Sequence, residues 1–317
     1  MSKTSIEPTR HALNGATMGT RWSALFFTDG HVDAASLQAA LQAAVDEVDQ
    51  QMSSWKPDSD LMRINRAPAG DWIEAPARLL EVLRLGLAIG RASGGAFDVA
   101  MGDAVTAWGF GPEAAAGEPI RIALAAKRCP SWEAVEIADG RLLKHAAVTL
   151  DLNGIAKGYG VDRLAETLRG FGIMSFLVGI DGEMCAAGLR PDGEPWSIAI
   201  EQPDHEKRAA HSVLALEDGA IATSGDYRHW VDVGGRRLSH TMDPRRGAPL
   251  AASPASVTVV AESCAEADAW ATALMVAGAE AGSAMATRHG LNALFLLRDG
   301  AGRIVPRAVG SLFSAAA

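Results

Sequence analysis

The sequence predicts a mixed α/β fold in which a largely antiparallel sheet carries packed helices. Two stretches, 34–52 and 76–92, repeat apolar residues at helical spacing: Leu37, Leu41, Val45, Val48 and Met52, then Leu79, Leu80, Leu83 and Leu87. Short apolar or alternating runs at 175–178, 196–200, 212–216 and 257–260 have strand length and are bounded by Gly, Pro and Asp. Val231 to Leu238 reads as a hairpin around Gly234-Gly235, which is local antiparallel pairing.

Taken in order, residues 1–13 read as a loose arm. A turn at Met18-Gly19-Thr20 leads into a strand over Trp22 to Phe27, where a core methionine is the ordinary role for Met18. After the first helix, Ser53 to Asp60 is a polar loop. Its Trp55 either stacks on a planar ligand or folds back over the core. The second helix ends at Ser93-Gly-Gly-Ala-Phe-Asp98, where two glycines permit positive φ. Ala96 leaves room for close ligand approach and Asp98 can accept a hydrogen bond, or the segment is only a cap and turn. Residues 109–119 form a Gly/Pro-rich loop with the composition of disorder. A short helix at 120–128 and strands near 134–138 and 147–151 follow. No internal repeat is evident.

The formal net charge of −9 argues against non-specific nucleic-acid binding, so any phosphate ligand needs local attraction. Three dispersed cysteines make neither a disulfide framework nor a zinc motif. No uncharged apolar run approaches the roughly 18 residues of a membrane span. Met1 to Arg10 shows no apolar signal core and no lipidation cysteine. The chain as it stands is expected in the cytoplasm, or in the periplasm if its N-terminus is trimmed.

Three stretches carry chemistry. From Thr149 to Arg163, an apolar run over 146–150 reads as a strand ending at Asp151. Asn153-Gly154 turns the chain, and a helix opens with Lys157 in its first turn. Helix-start amides and a lysine attract anions, although a solvated lysine on a plain strand–turn–helix looks the same. In Leu238 to Gly247, His240 and Asp243 form an acid/base or orienting pair, or His240 is a satisfied loop histidine. Ser263-Cys-Ala-Glu266 is a capping box opening a helix to about Gly278, with a further helix at 280–289 and a strand at 292–297. Asp268 and Thr272 fall four apart on one helical face, a hard-oxygen pair suited to Mg²⁺; the alternative is a back-bonded threonine beside a solvated aspartate.

Seven segments, in order, resemble the FAD:protein FMN transferases, the ApbE flavin transferase family. They are Ala16-Thr-Met-Gly-Thr20, Ser54-Trp-Lys-Pro-Asp-Ser-Asp60, Gly94-Gly-Ala-Phe-Asp98, Asp151-Leu-Asn-Gly-Ile-Ala-Lys-Gly-Tyr159, Thr223-Ser-Gly-Asp-Tyr227, His240-Thr-Met-Asp-Pro-Arg-Arg-Gly247 and Glu266-Ala-Asp-Ala-Trp-Ala-Thr272. The resemblance spans about residues 14–300. It implies a T-fold-related architecture, a single unit over 14–310 with a tail at 311–317, and an active site in a cleft between two lobes.

The same resemblance implies a Mg²⁺-dependent enzyme. It would move FMN from FAD onto a Thr or Ser hydroxyl of an acceptor protein through a phosphoester bond and release AMP. Met18, Trp55, Ala96, Phe97, Asp98, Asp151, Lys157 and Met242 would contact FAD. The Gly154 carbonyl with Asp268 and Thr272 would hold Mg²⁺, and His240, with Asp243 beside it, would be the catalytic histidine, as base or orienter. Asp181 stands where the family usually has glycine, so the Gly179 to Gly182 turn receives no ligand role. The family's acceptor pattern is absent, so the chain is not expected to flavinylate itself. A Mg²⁺-dependent FAD pyrophosphatase and a non-catalytic FAD-binding protein remain as rival functions, and a monomer or homodimer is expected.

Overall fold

The structure, a computed structural model, describes residues 8–204, 207–228, 230–233 and 236–313. It opens on an antiparallel hairpin, Thr9–Thr17 (β1) and Thr20–Thr28 (β2), with Met18-Gly19 at its tip. Both tip residues have positive φ, 45° and 70°, the two-residue geometry that matches strand twist. Residues 9–13, expected in a loose arm, are therefore the first half of β1; residues 1–7 lie outside the described residues.

Ala34–Met52 (α1) forms as its periodicity predicts. Asp33 caps it by accepting from the Ala35 and Ser36 amides, and Leu37, Leu41, Val45, Val48 and Met52 are buried. Next come Asp60–Arg66 (α2), Trp72–Glu74 (β3), Ala77–Ala92 (α3), Gly102–Ala107 (α4), Gly117–Ala125 (α5), Ser131–Ala134 (α6), Val135–Ala138 (β4) and Arg141–Lys144 (β5). Helix α5 begins within the loop expected over 109–119, three residues ahead of the predicted start. Strands β3, β5 and β4 pair in that order as a small sheet.

The apolar run 146–150 is not a strand. Both backbone groups of Leu150 bond the Asn65 side chain, at 2.8 and 2.9 Å. Asp151 N–H donates to the Val99 carbonyl and Gly102 N–H to the Thr149 carbonyl. The backbone bonds of this segment go to a side chain and a loop, so no ladder forms.

Ala156–Gly170 (α7) follows, then Phe176–Ile180 (β6), Glu183–Ala187 (β7), Trp196–Glu201 (β8), Ala210–Leu216 (β9) and Gly219–Gly225 (β10). Trp230–Val233 (β11) and Arg236–Ser239 (β12) pair antiparallel as the hairpin signal predicts, with Gly234-Gly235 outside the described residues. The chain closes with Met242–Asp243 (β13), Ala248–Pro249 (β14), Ser256–Ala261 (β15), Cys264–Arg288 (α8), Asn292–Arg298 (β16) and Ile304–Val309 (β17). Gly278, at φ 77° and ψ 177°, breaks α8 where the sequence separates two helices.

The main sheet runs β1-β2-β6-β7-β10-β15-β16-β17, and every neighbouring pair is antiparallel. Alternation sorts its two faces. Trp22, Ala24, Phe26 and Val178 pack with residues of α1 and α7, whereas Ile221, Val260 and Leu294 pack with Trp196 and Ile198 of the β8–β9 hairpin. A further core joins α3, β4 and β5 to α8 and β15. The starts of α7 and α8 thus meet over β10, beside the smaller α3–β5 unit.

Candidate functional site

Asp268 lies in the second turn of α8 and is 5% exposed. Its Oδ2 accepts from Gly158 N–H at 3.1 Å, in the first turn of α7. A Cβ at Gly158 would run into the Cys264 carbonyl oxygen, so the two helices touch backbone to backbone. Asp162, one turn along α7, accepts from the Cys264 and Ala265 amides at 2.7 and 2.9 Å and seals the start of α8. Ser263 caps the Glu266 amide, as the capping box predicts.

One turn beyond Asp268, Thr272 Oγ1 meets Ser224 Oγ at 3.1 Å, at the end of β10. It does not satisfy its needs only on its own helix, the alternative open from sequence. Gly154 backs onto the same hydroxyl: a Cβ there would come within 3.2 Å of both Thr272 Oγ1 and the Phe97 ring. A side chain at 154 would fill this space, and glycine keeps it for a backbone oxygen or a ligand.

Burial pushes the Asp268 carboxyl up to about 7; the nearby Glu183 charge adds to this, while Lys157 and the Gly158 N–H oppose it. Burial works against the charge on Lys157, yet Glu183, Asp268 and Asp181 outweigh it and hold the ammonium above its ordinary value. Enclosure likewise lifts Asp151 to about 6, against the bond its carboxylate accepts from the Asn153 amide.

Among the described residues no three His, Cys, Asp or Glu side chains gather in metal-binding fashion. A cation here would draw on one carboxylate, a threonine hydroxyl and the Gly154 backbone. That oxygen set suits a hard divalent ion, whose charge would also hold a buried Asp268 ionised. The donors therefore fit Mg²⁺.

The other predicted residues divide. Met18 reaches α7, its Cε 3.1 Å from where a Gly160 Cβ would stand. Its φ of 45° is a strained conformation for a non-glycine residue, of a kind that gathers at functional sites. Trp55 is 58% exposed, which rules out the reading that folds it over the core. Ala96 and Phe97 are buried. Asp98 organises its loop: its two oxygens accept from the Ala100 and Ser131 amides at 2.8 and 3.1 Å. Each carboxylate oxygen keeps a further lone pair, so the loop bonds leave Asp98 able to accept from a ligand as well.

His240 is half-buried, with the Phe110 ring edge-on at 6.4 Å. Asp243 builds the turn after it, accepting from Arg245 N–H through its carboxylate and from the Arg246 and Gly247 amides through its carbonyl. Met242 is buried in a small cluster with Met101, Ala104, Val105 and Trp108. This cluster meets the Asp151 segment through the Gly102–Thr149 bond.

Sequence reasoning passed over Ser224 and Glu183. Ser224 belongs to a quoted segment, and strand alternation alone puts it on the helix side of β10. Glu183 gives no local sign, because its partner Lys157 is twenty-six residues away. A surface concavity of about 540 Å³ between Pro8, Val32, Phe171 and Leu189 lies at the far end of β1 and β2 from Met18 and holds none of the candidate residues.

An all-antiparallel main sheet, with the starts of two helices meeting beside Asp268, Thr272 and Gly154, defines a mixed α/β protein. The ApbE family model matches residues 18–295, and the chain belongs to the ApbE family. It is 38% identical over 290 residues to the FAD:protein FMN transferase of Vibrio cholerae, covering 90% of this chain and 87% of that one. The Escherichia coli K12 protein of the same name is 33% identical over 306 residues, covering 91% and 84%. Among solved structures, the flavin transferase ApbE of Vibrio cholerae superimposes with a TM-score of 0.85 at 35% identity, covering 96% and 98% of the two chains. An ApbE protein from Thermotoga maritima gives 0.84 at 26% identity, covering 97% and 99%.

Proposed function

We propose that this chain is an FAD:protein FMN transferase that uses Mg²⁺ and a Thr or Ser hydroxyl of an acceptor protein. The observation that carries the reading is the cradle of Gly154, Thr272 and Asp268, in a chain whose named relatives match it over nine-tenths of its length. In the reaction, the acceptor hydroxyl oxygen bonds to the FMN-side phosphorus of FAD. The bond from that phosphorus to the bridging oxygen breaks, and AMP leaves. The hydroxyl proton passes to His240 or to a group that His240 orients.

Such displacement at phosphorus needs charge neutralisation and in-line placement more than covalent help. Mg²⁺, when bound, supplies charge compensation at the pyrophosphate. Asp268, Thr272 and the Gly154 carbonyl would hold it, and Lys157, at the start of α7, would face the nucleotide. Trp55, exposed on its loop, offers a flat face to the isoalloxazine. Met18, Ala96, Phe97 and Met242 provide apolar walls, with Asp98 and Asp151 at the nucleotide. Residues 14–310 act as one functional unit, its site in the cleft between the two lobes.

The test is incubation with FAD, Mg²⁺ and an acceptor domain, read by the acceptor's intact mass. A stable gain equal to FMN less water is expected. Free FMN without an adduct would turn the reading to the pyrophosphatase, and unchanged FAD to a binding protein. No helix among the described residues is long and apolar enough to cross a membrane.

A further inference from the structure

Lys157 stands beside Asp268 but does not pair with it. Asp268 Oδ2 accepts from the amide of Gly158, the residue after Lys157, so the carboxylate lies against the lysine's own backbone. The ammonium instead turns to Glu183 Oε1 at 2.7 Å and Asp181 Oδ2 at 3.6 Å. The Glu183 side chain is 4% exposed and the Asp181 side chain 44%. Glu183 is also fixed: it opens β7 opposite Ile180, and its Oε2 accepts from the Gly182 amide at 3.2 Å. Among the described residues no ion pair joins Lys157 to Asp268.

A buried carboxylate with one ammonium in reach normally takes it, because an unpaired buried charge is costly. Here the better-fixed carboxylate takes the ammonium and Asp268 keeps a single amide donor. We propose that Glu183 is a positioning residue: it holds the Lys157 ammonium away from Asp268 and so leaves that carboxylate available to a divalent cation. This rests on the reading of Asp268 as a cation ligand. Without Glu183, the buried carboxylate whose charge still acts on Lys157 is Asp268, and an internal ion pair between them competes with the cation. Asp181, exposed to water, is the weaker holder.

Calorimetric titration of Mg²⁺ alone into the full chain tests this without recourse to turnover. Glu183→Gln should weaken Mg²⁺ binding about tenfold, the size of coupling expected between contacting charged groups. In the Lys157→Met background there is no ammonium to hold, so adding Glu183→Gln should change the Mg²⁺ affinity by less than about twofold. Glu183→Asp, which keeps the carboxylate, should largely restore binding. Equal weakening by Glu183→Gln in both backgrounds would mean that Glu183 acts through its charge alone, and would overturn the proposal. So would wild-type Mg²⁺ affinity in Glu183→Gln, or a loss in Glu183→Asp as large as in Glu183→Gln. Asp268→Ala, measured alongside, separates the two levels: undiminished Mg²⁺ binding there would sink the cation reading itself, whatever Glu183 does.

Discussion

Asp268 and His240 stand in different kinds of surroundings. Asp268 is buried in the second turn of a long helix, braced by the Gly158 amide where α7, α8 and β10 meet. His240 lies between two short strands, half-buried, on a loop whose neighbour β13 has two residues. The first surroundings belong to the largest core and the second to a small satellite cluster around Met101, Trp108 and Met242. A cation site gains from donors that cannot move, since its ligand is small and always the same. A residue that must meet a protein acceptor gains from standing at a surface where a second chain can arrive.

Substitutions on the two sides should therefore fail in different ways. The largest effect belongs to Asp268→Ala. Turnover should fall on the order of a thousandfold or more, together with Mg²⁺ binding, because a fixed charge-stabilising donor is lost. Retained activity would break the contrast at its root. His240→Ala should lose roughly 10² to 10⁴ in transfer rate while keeping FAD and Mg²⁺ affinity, the signature of a proton-handling group. If FAD affinity fell equally, His240 would be structural and the two regions would no longer differ in kind.

Trp55→Ala comes next: FAD should bind about tenfold more weakly in a fluorescence titration, from loss of one stacking face, with little change in melting temperature. An unchanged affinity would remove Trp55 from the flavin site. The smallest effect tests the bracing itself. Burial lifts the Asp162 carboxyl from 3.8 to about 6, against its bonds to the Ala265 and Cys264 amides. A carboxyl raised in the folded state binds more protons folded than unfolded between those values. Its contribution to stability is thus fully present below the lower value and is lost as pH rises through about 6. The melting temperature of the wild type, compared with Asp162→Asn, should therefore gain on going from about pH 7.5 to about pH 5. Parallel curves for the two proteins would show that Asp162 has no such linkage.

Elements with a strong local period were legible in advance. Leu37, Leu41, Val45 and Val48 announce α1, and Leu79, Leu80 and Leu83 announce α3. The seven residues of α2 are too few to show a period, and it depends on Ser59 and on the buried Lys144, whose ammonium takes the Ile64 and Asn65 carbonyls. Strand β5 was hidden because that same lysine takes the inward position two residues after Leu142, so the apolar pattern of a strand does not show. Strand β7 begins on a buried glutamate for the same kind of reason. The run at 146–150 misled because apolarity reports burial, whereas a strand also needs a neighbouring strand for its amides.

In the site, Asp268 and Thr272 could be paired from spacing alone, since both lie on one helix. The amide partners of Asp98 at Ala100 and Ser131 are made by loop geometry, which residue type does not disclose. Glu183 could not be found at all without the sheet that brings β7 beside α7.

Gly158 sets a tolerance for the whole arrangement. Its missing side chain is what lets the two helix starts close on each other; Lys157 rides on one, with Gly154 in the turn that leads into it, while Asp268 and Thr272 ride on the other. The spacing of the proposed donors is therefore set at a position that is not itself one of them. Adding one methyl group at 158 would act as a wedge under both jaws. The chain could keep its fold and every named donor, and still hold them the wrong distance apart.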